Sequence, residues 1–410
     1  MQTASTAPLA GRTLIAVLCG GAVMGLALGI RHVQGLFLVP MTLDRGWSRE
    51  TFAVAIALQN LCWGLAQPVA GMIADRFGAV RVVAAGTLLY GAGLAAMSQA
   101  TSAAGLVLGA GVAIGCAQSC TTFGVVYAAI SRIADPAVRS RALGIAGALG
   151  GFGQFAMVPL AQGLQQWVGW SGALVALGVA VAALLPAARA LDDAGARTAA
   201  AAEPREQSLR EAVREAFGHR GFWLLNAGFL ACGFQLAFIA AHLPAYLLDL
   251  GLSARDAVVG LALVALANTV GTYLFGLWGG LHSRKRLLAG IYLARSAAMA
   301  LFLLAPPSAA SVDVFCAAMG FLWLGTVPLT SGLVSGVFGV RYIATLFGFV
   351  FVGHQLGGFL GVWLGGVVYD RTHSYHLVWL GAMSLGVVAA GLHLLIDERP
   401  LAPLRARVPA

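Results

Sequence analysis

Long apolar runs alternate with short polar or Pro/Gly-rich breaks along almost the whole chain. The runs lie near 12–39, 50–74, 79–98, 103–130, 140–166 and 169–188, then near 222–248, 255–279, 286–305, 312–337, 342–370 and 375–396. Each can cross the roughly 30 Å hydrocarbon core, which takes about 20 residues of helix. The longest polar interruption, 189–220, divides them six and six. The pattern predicts an all-α membrane protein with twelve transmembrane helices in two pseudo-symmetric six-helix bundles, 1–188 and 221–410, joined by a linker over 189–220. Inside the linker, Ser208 and Glu211 have the spacing of a capping box, and Leu209, Val213 and Phe217 recur on one helical face. A short amphipathic helix at the membrane surface is expected there.

Composition narrows the class further. Of 410 residues, 59% are apolar and only 10% charged, with a mean hydropathy of +0.84. Soluble chains carry about 25% charged residues, so a soluble enzyme and a nucleic-acid-binding domain are excluded. The net charge of +9 does not call for a nucleic-acid partner, because topology accounts for it. With both termini cytoplasmic, that side holds 19 Lys/Arg, the far side four, and the spans two. The first apolar run is too long for a cleaved signal peptide, so the first span serves as its own membrane address. The six cysteines all fall in apolar runs without metal-ligand spacing and read as packing residues. No cofactor or metal is expected, and twelve spans suffice for a monomer in the lipid bilayer.

The halves repeat. Asp44-Arg-Gly46-Trp-Ser48 aligns with Asp249-Leu-Gly251-Leu-Ser253 at an offset of 205 residues, and Gly71 meets Gly276 and Arg81 meets Arg286 in the same register. Duplicated halves are characteristic of transporters with a site between them. Between spans two and three stands Gly71-Met-Ile-Ala-Asp75-Arg76-Phe77-Gly78-Ala-Val-Arg81, and Asp135-Pro-Ala-Val-Arg139-Ser-Arg141-Ala-Leu-Gly144 joins spans four and five. These elements resemble the signature loops of the major facilitator superfamily, and the second half keeps a degraded copy at Gly276–Arg286. The resemblance implies alternating access, with Asp75, Arg76, Arg81, Arg139 and Arg141 latching the cytoplasmic gate. Physically, Asp75 at a span end is suited to cap a neighbouring helix and pair with an Arg.

Charges inside spans cost roughly 2.5–3.5 kcal/mol each on insertion scales and therefore mark function. Two occur, Arg31 and Arg295, and no acid stands mid-span, so the interior favours an anion. Arg31 lies nine residues before Pro40, about 14 Å below the end of span one at 1.5 Å per residue. It is the leading substrate-binding candidate, whereas Arg295 suits a supporting role equally well. His242 and His354, with His32, are the candidate proton carriers. Gln59, Asn60, Tyr127, Asn268 and Gln355 are candidate orienting groups or helix bridges.

Gly29-Ile-Arg31-His-Val-Gln-Gly35-Leu-Phe37, Gly46-Trp47-Ser48-Arg49 and His354-Gln355-Leu-Gly357-Gly358-Phe359-Leu-Gly361 resemble the bacterial monocarboxylate-porter and oxalate/formate-exchanger branch. That resemblance implies a secondary transporter of a small organic anion, a monocarboxylate, in a bacterial cytoplasmic membrane, with a possible coupled proton. It also implies a carboxylate held by Arg31 with help from His354. The chain departs from the animal porters in span eight, where Asn268-Thr-Val-Gly-Thr272 replaces an acid–Arg pair. The alternative is an efflux pump for an amphiphilic or drug-like compound, on the aromatics Trp63, Phe123, Tyr127, Tyr246 and Trp323.

Overall fold

The computed structural model describes residues 9, 11–47, 49–201 and 207–401. Ser48 of the repeat, the linker segment 202–206 and the chain ends 1–8 and 402–410 lie outside the described residues, as does residue 10. Within them every regular element is helical: α1 (Gly11–Val33), α2 (Leu38–Arg45), α3 (Arg49–Phe77), α4 (Ala79–Gln99), α5 (Ala103–Leu106), α6 (Ile114–Thr121), α7 (Phe123–Ile133), α8 (Arg139–Ala183), α9 (Ala194–Ala201), α10 (Leu209–Gly218), α11 (Arg220–Asp249), α12 (Ala254–Leu281), α13 (Arg284–Leu304), α14 (Ala309–Phe321), α15 (Thr326–Phe338), α16 (Ile343–Thr372) and α17 (His376–Leu394).

Ten stretches of the described residues are long and apolar enough to cross a membrane. One of them, Arg139–Leu191, contains spans five and six, two helices that meet at a kink at Gly169, whose φ of 72° and ψ of 174° are not helical. The 29-residue α3, with Gln59, Asn60 and Gln67 along it, supplies the remaining span. Two expected spans prove to be broken. Span four runs α5, a π-helical segment Val107–Ala113, α6 and α7, with extended backbone at Thr122 between the last two. Span ten is α14 and α15, separated at Leu322–Gly325. Span one continues past its expected end, because Pro40 sits in the first turn of α2, where a missing N–H costs nothing.

Packing repeats between the halves. In each, the first span lies against the fifth (α1 on α8, α11 on α16), the second against the fourth (α3 on α6, α12 on α14) and the third against the sixth (α4 on α8, α13 on α17). The halves meet through α3 on α16 and α8 on α12, again the second span of one against the fifth of the other. Backbones come close at that seam. A Cβ on Gly276 would stand 2.2 Å from the Gly144 Cα, so neither position admits a side chain without parting the helices. The linker behaves as its sequence dictates. Ser208 accepts from the Glu211 N–H while the Glu211 carboxylate accepts from Ser208, and α10 buries Ala212 and Ala216.

Candidate functional site

Arg31 stands in the last turn of α1, level with the middle of α3 and α16. Its Nη2 donates to Asn60 Oδ1 and its guanidinium lies 5.0 Å over the Trp63 ring. The amide of Asn60 is oriented by its own Nδ2, which donates to the Ile56 carbonyl at 3.2 Å. Trp63 is fixed by Nε1 donating at 3.1 Å to Thr122 Oγ, at the break in span four. Arg31 Nε is buried with no hydrogen-bond partner among the described residues, and Arg31 forms no ion pair there. Neighbouring His32 is exposed.

The same point is a crossing between the halves. Gln355 Nε2 donates to the Asn60 carbonyl at 3.2 Å, and Gln355 Oε1 lies 3.2 Å from His354 Nδ1. Phe351 stacks on His354 with centroids 5.3 Å apart and meets Trp63 at 4.9 Å. Four predicted residues, Arg31, Asn60, His354 and Gln355, thus form one polar string walled by aromatic rings. A hydrogen-bonded cation with an unsatisfied donor can take up an anionic oxygen there.

Arg295 is fully buried and used up. Its Nε and Nη2 donate to the Leu322 carbonyl at 3.1 and 2.6 Å, Nη2 also to the Trp323 carbonyl, and Nη1 to Cys232 Sγ at 3.3 Å and Gln235 Oε1 at 3.4 Å. The carbonyls it serves are those released where span ten breaks. Asn268 serves the same break, its Oδ1 accepting from the Leu324 N–H and from Thr272 Oγ, both at 3.0 Å. Gln59 likewise donates to the Ala110 carbonyl of the π-helical segment at 2.6 Å. The Asn268 amide nitrogen and the Tyr127 hydroxyl are buried without a hydrogen-bond partner among the described residues, facing the small-residue stripe of α8 at Gly151 and Gly147. His242 is elsewhere. Its ring sits 2.9 Å from the Val362 carbonyl and 3.3 Å from the Tyr375 hydroxyl, tying α11 to α16 and α17 at the face opposite the linker.

The signature loop forms a second centre, at the face that carries both ends of the described chain and the linker. Gly78, with a φ of 97°, turns α3 into α4. One turn earlier Asp75 is buried. Its Oδ2 accepts from the N–H of Thr345 at 2.8 Å and from its hydroxyl at 2.6 Å, so it caps α16 of the other half. The arginine it pairs with is Arg132, which lies between Asp75 and Asp193 and donates Nε to the Val340 carbonyl at 3.0 Å. A Cβ on Gly71 would fall 2.4 Å from the Ala344 carbonyl oxygen, so that glycine lets α3 approach α16 here. The arginines nearer in sequence stand differently. Arg76 and Arg81 are exposed, Arg76 entering through its carbonyl, which accepts from Arg197 at 3.1 Å. Arg139 and Arg141 are half-buried at the start of α8.

Sequence reading missed Arg132, Asp193 and Thr345. The repeat carried one usable signal. Asp193 and Glu398 stand 205 residues apart, each just after the last span of its half. Each caps the third span of its half, Asp193 at the Ala79 N–H (3.4 Å) and Glu398 at the Lys285 N–H (3.0 Å).

Comparison with known proteins agrees with this architecture. The family model described as Major Facilitator Superfamily matches residues 17–362. The uncharacterized MFS-type transporter YcxA of Bacillus subtilis is 25% identical over 387 residues, covering 90% of each chain. Monocarboxylate transporter 11 of Mus musculus is 27% identical over 375 residues, 88% of this chain and 81% of that one. Among solved structures, FucP in the outward conformation superposes with a TM-score of 0.72 at 14% identity, over 94% of this chain and all of that one, a likeness of fold.

Proposed function

The chain belongs to the major facilitator superfamily, and from that premise we propose that it moves a small organic anion, a monocarboxylate, across the bacterial cytoplasmic membrane by alternating access. The observation that carries this reading is Arg31, a cation in the middle of the bundle with one hydrogen bond and a buried unpartnered Nε. A carboxylate at about 4 Å would interact with it by roughly 4 kcal/mol at an effective dielectric of 20, less the cost of desolvation. The name of the mouse relative, a monocarboxylate transporter, points the same way. Asn60, Gln355 and His354 would orient the anion, and the rings of Trp63 and Phe351 would exclude water from it.

In this reading the face carrying the linker is cytoplasmic. The halves are closed there by Asp75, Arg132 and Thr345. Arg76, Arg81, Arg139 and Arg141 would add basic charge around that gate. Binding between the halves favours whichever state contacts the anion from both sides, and the difference in affinity between states drives the cycle. The other Arg, Arg295, would hold the broken span ten in shape.

Proteoliposome uptake of labelled lactate, pyruvate, formate and oxalate, with and without an inward proton gradient, tests the reading. Saturable uptake of at least one of the three monocarboxylates is expected. Folded protein that moves none of them would overturn it.

A further inference from the structure

Beside the latch at the linker face lies a cavity of about 610 Å³, within the range of roughly 300–1,000 Å³ common for small-molecule sites. Its walls come from three parts of the chain: Arg76 at the end of α3, Arg197 and Ser208 in the linker, and Arg341 in the turn before α16. Three guanidinium groups thus line it. The one acid among the described lining residues, Asp75, is already paired with Arg132 and caps α16. Two of the arginines are held in place. Arg197 pairs with Asp193 at 3.2 Å and donates Nη1 to the Arg76 carbonyl at 3.1 Å. Arg341 lies against the Tyr342 ring, 5.3 Å away, and the Tyr342 hydroxyl donates to the Gln207 carbonyl at 2.9 Å, tying the second half to the linker. Arg76 differs. Its guanidinium rests over the Phe77 ring at 5.1 Å and makes no hydrogen bond or ion pair among the described residues. The start of α10 adds no donor, because the Glu211 carboxylate already takes the Ser208 N–H and hydroxyl.

We propose that this cavity binds a phosphate-bearing anion from the cytoplasmic side, and that the bound anion holds the gate shut. A guanidinium presents a planar fork of N–H donors that matches two oxygens of a phosphate. A small carboxylate offers two oxygens and one charge, enough for a single fork. A phosphate offers more oxygens and up to two charges, which suits three arginines arriving from different elements. Binding has a conformational consequence, because Arg76 belongs to one half and Arg341 to the other. An anion that bridges them loses one side of its site when the halves part. A ligand shifts an equilibrium by its difference in affinity between the two states, so occupancy favours the closed gate and slows the cycle. Arg31 stands apart, against Asn60 and Trp63, so this anion is an effector and does not compete as cargo.

The inference takes the side of the membrane from the transport reading, but its test uses no transported substrate. Isothermal titration of inorganic pyrophosphate into the full chain in phosphatidylcholine nanodiscs reads binding. Spin-label distances between the halves at the linker face read the gate, with pyrophosphate added or with cardiolipin included in the nanodisc. The distances are measured in Thr345→Val, whose latch lacks the hydroxyl bond to Asp75, so that open and closed populations are both visible. At least one probe is expected to raise the share of the short distance, and Arg76→Gln and Arg341→Gln should each weaken that response at least tenfold in probe concentration. A response to pyrophosphate alone assigns the site to a soluble phosphate compound, and a response to cardiolipin alone assigns it to a lipid headgroup. A gate indifferent to both probes overturns the proposal. So does a response of undiminished strength in folded Arg76→Gln and Arg341→Gln. Protein that moves no monocarboxylate yet closes with either probe defeats the choice of substrate and keeps the effector site.

Discussion

Two arginines lie inside the membrane spans, one in each half, and they are in opposite condition. Arg295 spends its guanidinium on two carbonyls, an amide and a thiol, while Arg31 makes one hydrogen bond and leaves Nε buried and unpartnered. A cation satisfied by fixed protein groups is part of the architecture. A cation left short of acceptors is free to serve something that comes and goes. Sequence position alone does not separate the two, since both stand near the middle of an apolar run. What separates them is the backbone beside them. Arg295 faces the break at Leu322–Gly325, where carbonyls lack helical partners, whereas Arg31 faces side chains of intact α3.

Substitutions sharpen the contrast. Arg132 is the extreme of the satisfied kind, held between Asp75 and Asp193. Arg132→Gln would leave buried Asp75 without a cation and Asp193 with Arg197 alone, a loss of about 3–5 kcal/mol. The expected result is a gate that no longer holds, seen as longer spin-label distances between the halves at the linker face. Arg295→Gln should come next, with buried carbonyls left unserved at about 1–3 kcal/mol each. It is expected to lower the melting temperature in detergent markedly. Arg31→Gln should cost less, about 1.5–3 kcal/mol at most, since a single hydrogen bond of a charged group is lost. Equal destabilisation by Arg31→Gln and Arg295→Gln would break the comparison.

The smallest effect belongs to the linker. The N–H and hydroxyl of Ser208 hold the exposed Glu211 carboxyl below its ordinary value. A carboxyl held low in the folded state stabilises above its unfolded pKa, and that contribution fades as pH falls through the folded value. Ser208→Ala should therefore fray α10 slightly at neutral pH and flatten its acid-induced melting, measurable by backbone hydrogen exchange.

Much of the fold was legible in the chain. Apolar runs marked the spans, and the constant 205-residue offset marked the repeat that the helix pairing follows. The capping role of Asp75 was also readable, because it depends on distance from a span end. Partnerships across the chain were not. Arg132 is 57 residues from Asp75, and local spacing favours Arg76 and Arg81, which prove exposed. The break at Leu322–Gly325 escaped notice because hydropathy continues through it, and with it the reason for Arg295, while the polar Gln118-Ser-Cys-Thr-Thr122 beside the other break is too short to end an apolar run. His242 is mid-run by count, yet its helix face turns it to Val362 and Tyr375, a matter of rotation that hydropathy does not encode.

The central claim is that Arg31 holds the transported anion while Arg295 does not. Isothermal titration of lactate, pyruvate, formate and oxalate into detergent-solubilised wild type, Arg31→Gln and Arg295→Gln, each first shown to be folded, tests it most directly. Loss of one partner of a buried charge pair costs about 2–5 kcal/mol. Binding at least 30-fold weaker in Arg31→Gln, with affinity kept within a few-fold in folded Arg295→Gln, is the predicted result. Unchanged affinity in Arg31→Gln would contradict the account.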